Sequence, residues 1–110
     1  MAIDYLRAMA AYKVGVEGGD AGCQFQVGMM YNLGRGVAVD YQQARAWLEK
    51  AAAQDHPNAT DALGMMYTHG HGVTPSWRRA RELCERAIEL GDSTAVERMQ
   101  GLTWLIQMVS

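Results

Sequence analysis

The stretch Gly28-Met-Met-Tyr31-Asn-Leu-Gly34-Arg-Gly36-Val37 returns as Gly64-Met-Met-Tyr67-Thr-His-Gly70-His-Gly72-Val73, an offset of 36 residues. The offset holds beyond the motif: Ala44 and Arg45 align with Ala80 and Arg81, Glu49 with Glu85, and Ala51 with Ala87. Self-similarity at a fixed period of this size marks a solenoid, in which small units stack and no unit buries its apolar face alone. Such a fold presents an extended surface to a partner. The expected role class is therefore protein interaction, with the partner's identity left open.

Within each period the spacing predicts two helices joined by a glycine turn. Ala59, Ala62, Leu63, Met66 and Tyr67 recur at helical intervals and mark one buried face. Gly70-His-Gly72 ends that helix, because glycine accepts the left-handed backbone of a helix terminus. A second helix starts near Trp77, carries Ala80, Leu83, Cys84, Ala87 and Ile88 as its apolar stripe, and stops at Gly91.

Helix starts repeat with the same period. Asp4, Asp40 and Ser76 precede the second-type helices, and Asp20, His56 and Asp92 the first-type helices; Pro57 suits a first helical position. The expected elements include helices near 41–53, 58–69 and 77–90, a lone second-type helix near 4–17, and a first-type helix over 93–108. The chain thus reads as all-α, about six helices in a single domain. Its parts are a partial repeat 1–18, repeats 19–54 and 55–90, and a terminal partial repeat 91–110. Gly28 and Gly64 fall mid-helix, where glycine costs about 1 kcal/mol relative to alanine. Close approach of the paired helix, which presents Ala44 or Ala80, accounts for them, and Tyr31 and Tyr67 fill the space beside the turn.

The pattern of Ala59, Leu63, Gly64, Tyr67, Gly70, Gly72, Val73, Ala80 and Ala87 resembles the Sel1-like repeat. The earlier copy offers Val27, Gly28, Tyr31, Gly34, Gly36, Val37, Asp40, Ala44, Trp47, Ala51 and Ala52. Departures are Cys23 at the early alanine, Ser76 at the aspartate, and Gln100 and Thr103 at the helix glycine and tyrosine of the last copy. The resemblance implies a right-handed α/α superhelix related to tetratricopeptide repeats, and a role as adaptor, scaffold or assembly factor binding a protein or peptide. An inhibitory, immunity-type partner that sequesters one protein is the alternative within that class. A cysteine-rich subfamily bridges its helix pairs with disulfides; this chain lacks the paired cysteines.

Composition narrows the field. A net charge of −2 gives no strong field toward nucleic acid, and no nucleic-acid partner is expected. No apolar run approaches the roughly 20 residues that span a bilayer, so no membrane insertion is expected. Asp4 and Arg7 stand where a signal peptide needs an apolar core, which favours a cytoplasmic setting unless a signal has been removed. Cys23 and Cys84 fall at different phases of the repeat and read as free thiols at packing positions.

Chemistry-bearing residues are few. His69 and His71 offer two metal ligands with no third nearby in sequence, and solvated turn residues are the expected reading. Arg78, Arg79 and Arg81 share a helix with Glu82, Glu85, Arg86 and Glu89, as in Arg78 with Glu82 and Glu82 with Arg86, the pattern of a solvated face. The eight methionines read mainly as core. No catalytic residue, cofactor or metal is assigned, and a metal-binding or enzymatic domain built on the two histidines is the weaker alternative.

First-type helices line the concave side of tetratricopeptide-like superhelices, so the resemblance places the partner site there. The stripe opposite the core reads Phe25, Met29, Asn32 in one copy, Asp61, Met65, Thr68 in the next, and Glu97, Gly101, Trp104 in the last. The candidate protein-binding residues are Phe25, Met29, Asn32, Asp61, Met65, Thr68 and Trp104. Packing between helices is the competing reading for the apolar members. Leu102, Trp104, Leu105, Ile106, Met108 and Val109 crowd the C-terminal segment and are expected to be covered, by self-association through that helix, by a swapped helix or by a further downstream repeat.

Overall fold

The computed structural model describes residues 5–92 and 107–108. Five helices follow one another: α1 (Tyr5–Glu17), α2 (Ala21–Leu33), α3 (Tyr41–Ala52), α4 (Pro57–His69) and α5 (Trp77–Glu89). There is no strand among the described residues. α1, α3 and α5 are the second-type helices, and α2 and α4 the first-type. Of the expected helix over 93–108, only 107–108 are described, and they are helical. The rest, with Trp104, lies outside the described residues, as do the Asp4 cap and the start that Asp92 was expected to cap.

Local chemistry sets the boundaries. Asp20 accepts the Cys23 amide at 2.8 Å, Asp40 the Gln43 amide at 3.1 Å, and Ser76 the Arg79 amide at 3.2 Å, each satisfying an amide the helix leaves open. The hydrogen bond to the Cys23 amide holds the Asp20 carboxyl below its ordinary range. α2 and α4 both end at a left-handed glycine, Gly34 (φ 69°) and Gly70 (φ 71°), whose amide returns to Met30 and Met66 respectively. The chain then comes back to the helix it left: the Asp40 amide donates to Tyr31 O and the Ser76 amide to Tyr67 O, both at 3.0 Å.

The core is a line of small and medium side chains. Ala44, Leu48, Ala51 and Ala59 are wholly buried, and Ala62, Leu63, Met66 and Leu83 join them in one cluster across α3, α4 and α5. Val27 and Met30 form a second cluster under Tyr12, Val16 and Trp47, which ties α1 to the array. Gly28 lies on Leu48 and the Ala44 carbonyl, and Gly64 on the Ala80 carbonyl, Leu83 and Cys84. The expected close approach is therefore present in both copies.

Polar bridges hold successive turns together. The Gln54 amide donates to Gly19 O and Gln24 Oε1, both at 2.9 Å. Arg86 of α5 reaches Asp55 at 2.8 Å, and Asp55 itself has a left-handed backbone (φ 62°) between α3 and α4. On α5 the ion pairs are Arg79–Glu82, Arg81–Glu85 and Arg86–Glu89. This corrects the expected Arg78–Glu82 and Glu82–Arg86 pairing, since Arg79 takes Glu82 while Arg86 is drawn to Asp55 and Glu89. All are exposed, so solvent screening leaves each with little net stabilising effect.

His56 caps α4 through a side chain that titrates. Its Nδ1 accepts the Ala59 amide at 3.2 Å, and its ring stacks on Phe25 with centroids 5.0 Å apart. Protonation would place a proton on the accepting nitrogen. Burial pushes the His56 imidazole below its ordinary 6.5, against an opposing pull from Asp20. The unfolded chain thus binds this proton more readily than the folded one. The His56 contribution is complete above pH 6.5 and declines as pH falls through 6.5 and the lower folded-state value. His56→Asn keeps a capping oxygen and removes the titration. Its midpoint of thermal unfolding is expected to depend less on pH below 6.5 than that of the parent; parallel pH profiles would refute the assignment.

Candidate functional site

The glycine turn after α4 folds back onto the start of α3. Gly72 packs so closely on Tyr41 that a side-chain carbon there would lie 2.8 Å from Tyr41 Cβ. This seats the His71 ring on the Tyr41 ring, with centroids 4.5 Å apart and planes at 14°. His69 stacks on His71 in turn at 5.5 Å. His69 Nδ1 lies 2.9 Å from the Met65 carbonyl oxygen. That oxygen only accepts, so Nδ1 carries a proton, and in the neutral ring Nε2 is the nitrogen with the lone pair. The expectation of two solvated turn histidines holds for His69, which is exposed, and is corrected for His71, which is half-buried in the stack.

Beneath this stack lies a groove of about 290 Å³ between the C-terminal turns of α2 and α4. Ala62 and Met66 are its buried floor, Met29, Leu33 and Met65 its apolar walls, and Tyr41, His69 and His71 line one end. Asn32 also lines it, and its Oδ1 is buried with no hydrogen-bond partner among the described residues. A buried acceptor left open is unusual in a folded protein.

The candidate residues divide. Met29, Asn32 and Met65 come together in the groove. Thr68 is half-buried and its hydroxyl donates to Gly64 O at 3.0 Å. Phe25 packs against the core and on His56. Asp61 is only 5% exposed, which corrects its expected outward position: the first-type helices are covered on two sides, by their hairpin partner and by the neighbouring unit. Tyr41, Leu33 and His71 were not expected here. The signal available for Tyr41 was an aromatic at the first position of a second-type helix, matched by Trp77 one period later.

Nothing in the described residues points to catalysis. No three His, Cys, Asp or Glu side chains among them gather to hold a metal. Burial pushes the Cys23 and Cys84 thiols up, away from the reactive thiolate. No helix among the described residues is long and apolar enough to cross a membrane.

The family model for the Sel1 repeat matches residues 8–56 and 57–92, well over half of the chain. The chain belongs to the Sel1 repeat family. It is similar to a Sel1 repeat protein from Oxalobacter formigenes, with 33% identity over 84% of this chain and 38% of that one, at a TM-score of 0.80. It is also similar to c5321, a protective antigen of uropathogenic Escherichia coli with an SLR fold. There the identity is 33% over 80% of this chain and 19% of that one, and the TM-score is 0.76. Cysteine rich protein B of Helicobacter pylori shares the fold at 22% identity, with 86% and 71% of the two chains covered and a TM-score of 0.78. The Sel1 chain therefore spans well under two thirds of the first two relatives. No curated protein matches it in sequence at a significant level. The Sel1 repeat is in general a protein-interaction module, and its fold is typically a non-catalytic scaffold.

Proposed function

We propose that this Sel1 chain is an adaptor or assembly module that binds a protein or peptide on the concave side of its first-type helices. The groove between α2 and α4 is the centre of that surface. The observation that carries the reading is the pairing of apolar walls, Met29 and Met65, with the open acceptor Asn32 Oδ1. An extended peptide supplies what each lacks: an apolar side chain for the walls and a backbone N–H for the oxygen. Phe25 and Thr68 flank the groove on the same helices, and Trp104, one period beyond, belongs to the proposed surface. A homotypic contact through the C-terminal segment is a further part of the proposal, supported by Met108 at 62% exposure.

The test is Met29→Ala combined with Met65→Ala, because both side chains are half-buried at the groove and neither belongs to the buried core. Helical circular dichroism is expected to be kept. Proteins captured from the native cell extract by the parent are expected to be lost from the variant, with affinity down at least about thirtyfold if the pair contributes 2 kcal/mol or more. Undiminished capture by the folded variant removes this face as the binding site.

A further inference from the structure

The groove gathers ligands of one chemical kind. Met29, Met65 and Met66, which carry thioethers, line it together with the imidazole-bearing His69 and His71, and no carboxylate or thiolate residue lines it. We propose that it is a Cu(I) site, with His69 and His71 supplying nitrogen and Met29 and Met65 supplying sulfur. Thioethers select soft, monovalent copper, imidazole suits it as well, and neutral ligands match its single charge. Divalent zinc lacks the harder third and fourth ligands it takes in protein sites, since no three His, Cys, Asp or Glu gather among the described residues.

His69 is already held as a metal-bound histidine would be. The Met65 carbonyl holds His69 Nδ1–H at 2.9 Å, which leaves Nε2 as the donor nitrogen. A backbone carbonyl on the second ring nitrogen is the usual outer partner of a metal-bound histidine. His71 is held by its stack on Tyr41, and the two imidazole centroids are 5.5 Å apart. Met65 and His69 stand four residues apart on one face of α4, while Met29 comes from α2 across the groove. Unbranched thioether side chains adapt to an incoming ion at little cost. The last turns of both helices, with their partial negative charge, favour a cation there. This site goes beyond the docking reading and does not depend on it.

The experiment is an anaerobic titration of the reduced chain carrying Cys23→Ser and Cys84→Ala, with Cu(I) supplied as its bicinchoninate complex. One Cu(I) per chain is expected to transfer. His69→Ala, His71→Ala, and Met29→Leu with Met65→Leu are each expected to weaken binding at least about tenfold with helical content unchanged, and excess Zn(II) is expected not to compete. Failure of Cu(I) to transfer, or parental affinity in the histidine and methionine variants, overturns the site. In the unmodified chain, Ag(I) is a second probe, and the two thiols can take two equivalents. The methyl resonances of Met29 and Met65 are expected to shift within three equivalents; unmoved methyls overturn the site as well.

Discussion

Gly28→Leu is expected to lower the free energy of unfolding by about 3 kcal/mol, the upper end of the overpacking range, and Gly64→Leu by about 1–3 kcal/mol. The difference comes from what surrounds each glycine. A side-chain carbon at Gly28 would lie 2.9 and 3.0 Å from Leu48 Cγ and Cδ2 and 3.3 Å from the Ala44 carbonyl oxygen. Leu48 is wholly buried and has nowhere to retreat. At Gly64 the nearest atoms are the Ala80 carbonyl oxygen and Cys84 Sγ at 3.3 Å, so the contact is tight but less severe. Chemical denaturation with unchanged cooperativity is the measurement. Wild-type midpoints in both variants would refute the close approach of α2 to α3 and of α4 to α5.

Leu48→Ala is expected to cost about 2–5 kcal/mol, because it empties a fully buried site that alanine neighbours cannot refill. The same deletion opens the space that a carbon at Gly28 needs. Gly28→Ala is therefore expected to be less damaging in the Leu48→Ala background than in the parent, with a coupling of about 1 kcal/mol. Additivity within about 0.5 kcal/mol would show that the two positions do not share a cavity.

Much of this fold is legible in the residues because its boundaries are made locally. A left-handed residue and a side-chain cap act within a few positions, so the ends of α3, α4 and α5 fall within a residue or so of expectation. Mid-helix Gly28 and Gly64 were legible for a related reason: glycine in a helix asks for a neighbour. The groove was only half legible. Met29, Asn32 and Met65 share a stripe that periodicity reveals. Tyr41 and His71 meet across 30 positions, through a turn whose path back onto α3 no local rule dictates. Asp61 was misplaced because one helix in isolation has an inside and an outside, whereas a helix in a stack has two insides. The α5 ion pairs shifted because Asp55, on a distant turn, competes for Arg86.

The seam between α3 and α4 is built largely from alanine, with Ala44, Ala51 and Ala59 wholly buried in one cluster. Short side chains at these positions let the two helices approach closely, with Leu48, Leu63 and Met66 filling the same cluster. The groove straddles that seam, since Met29 stands on α2 and Met65 on α4. Whatever fills it therefore touches two successive units at once.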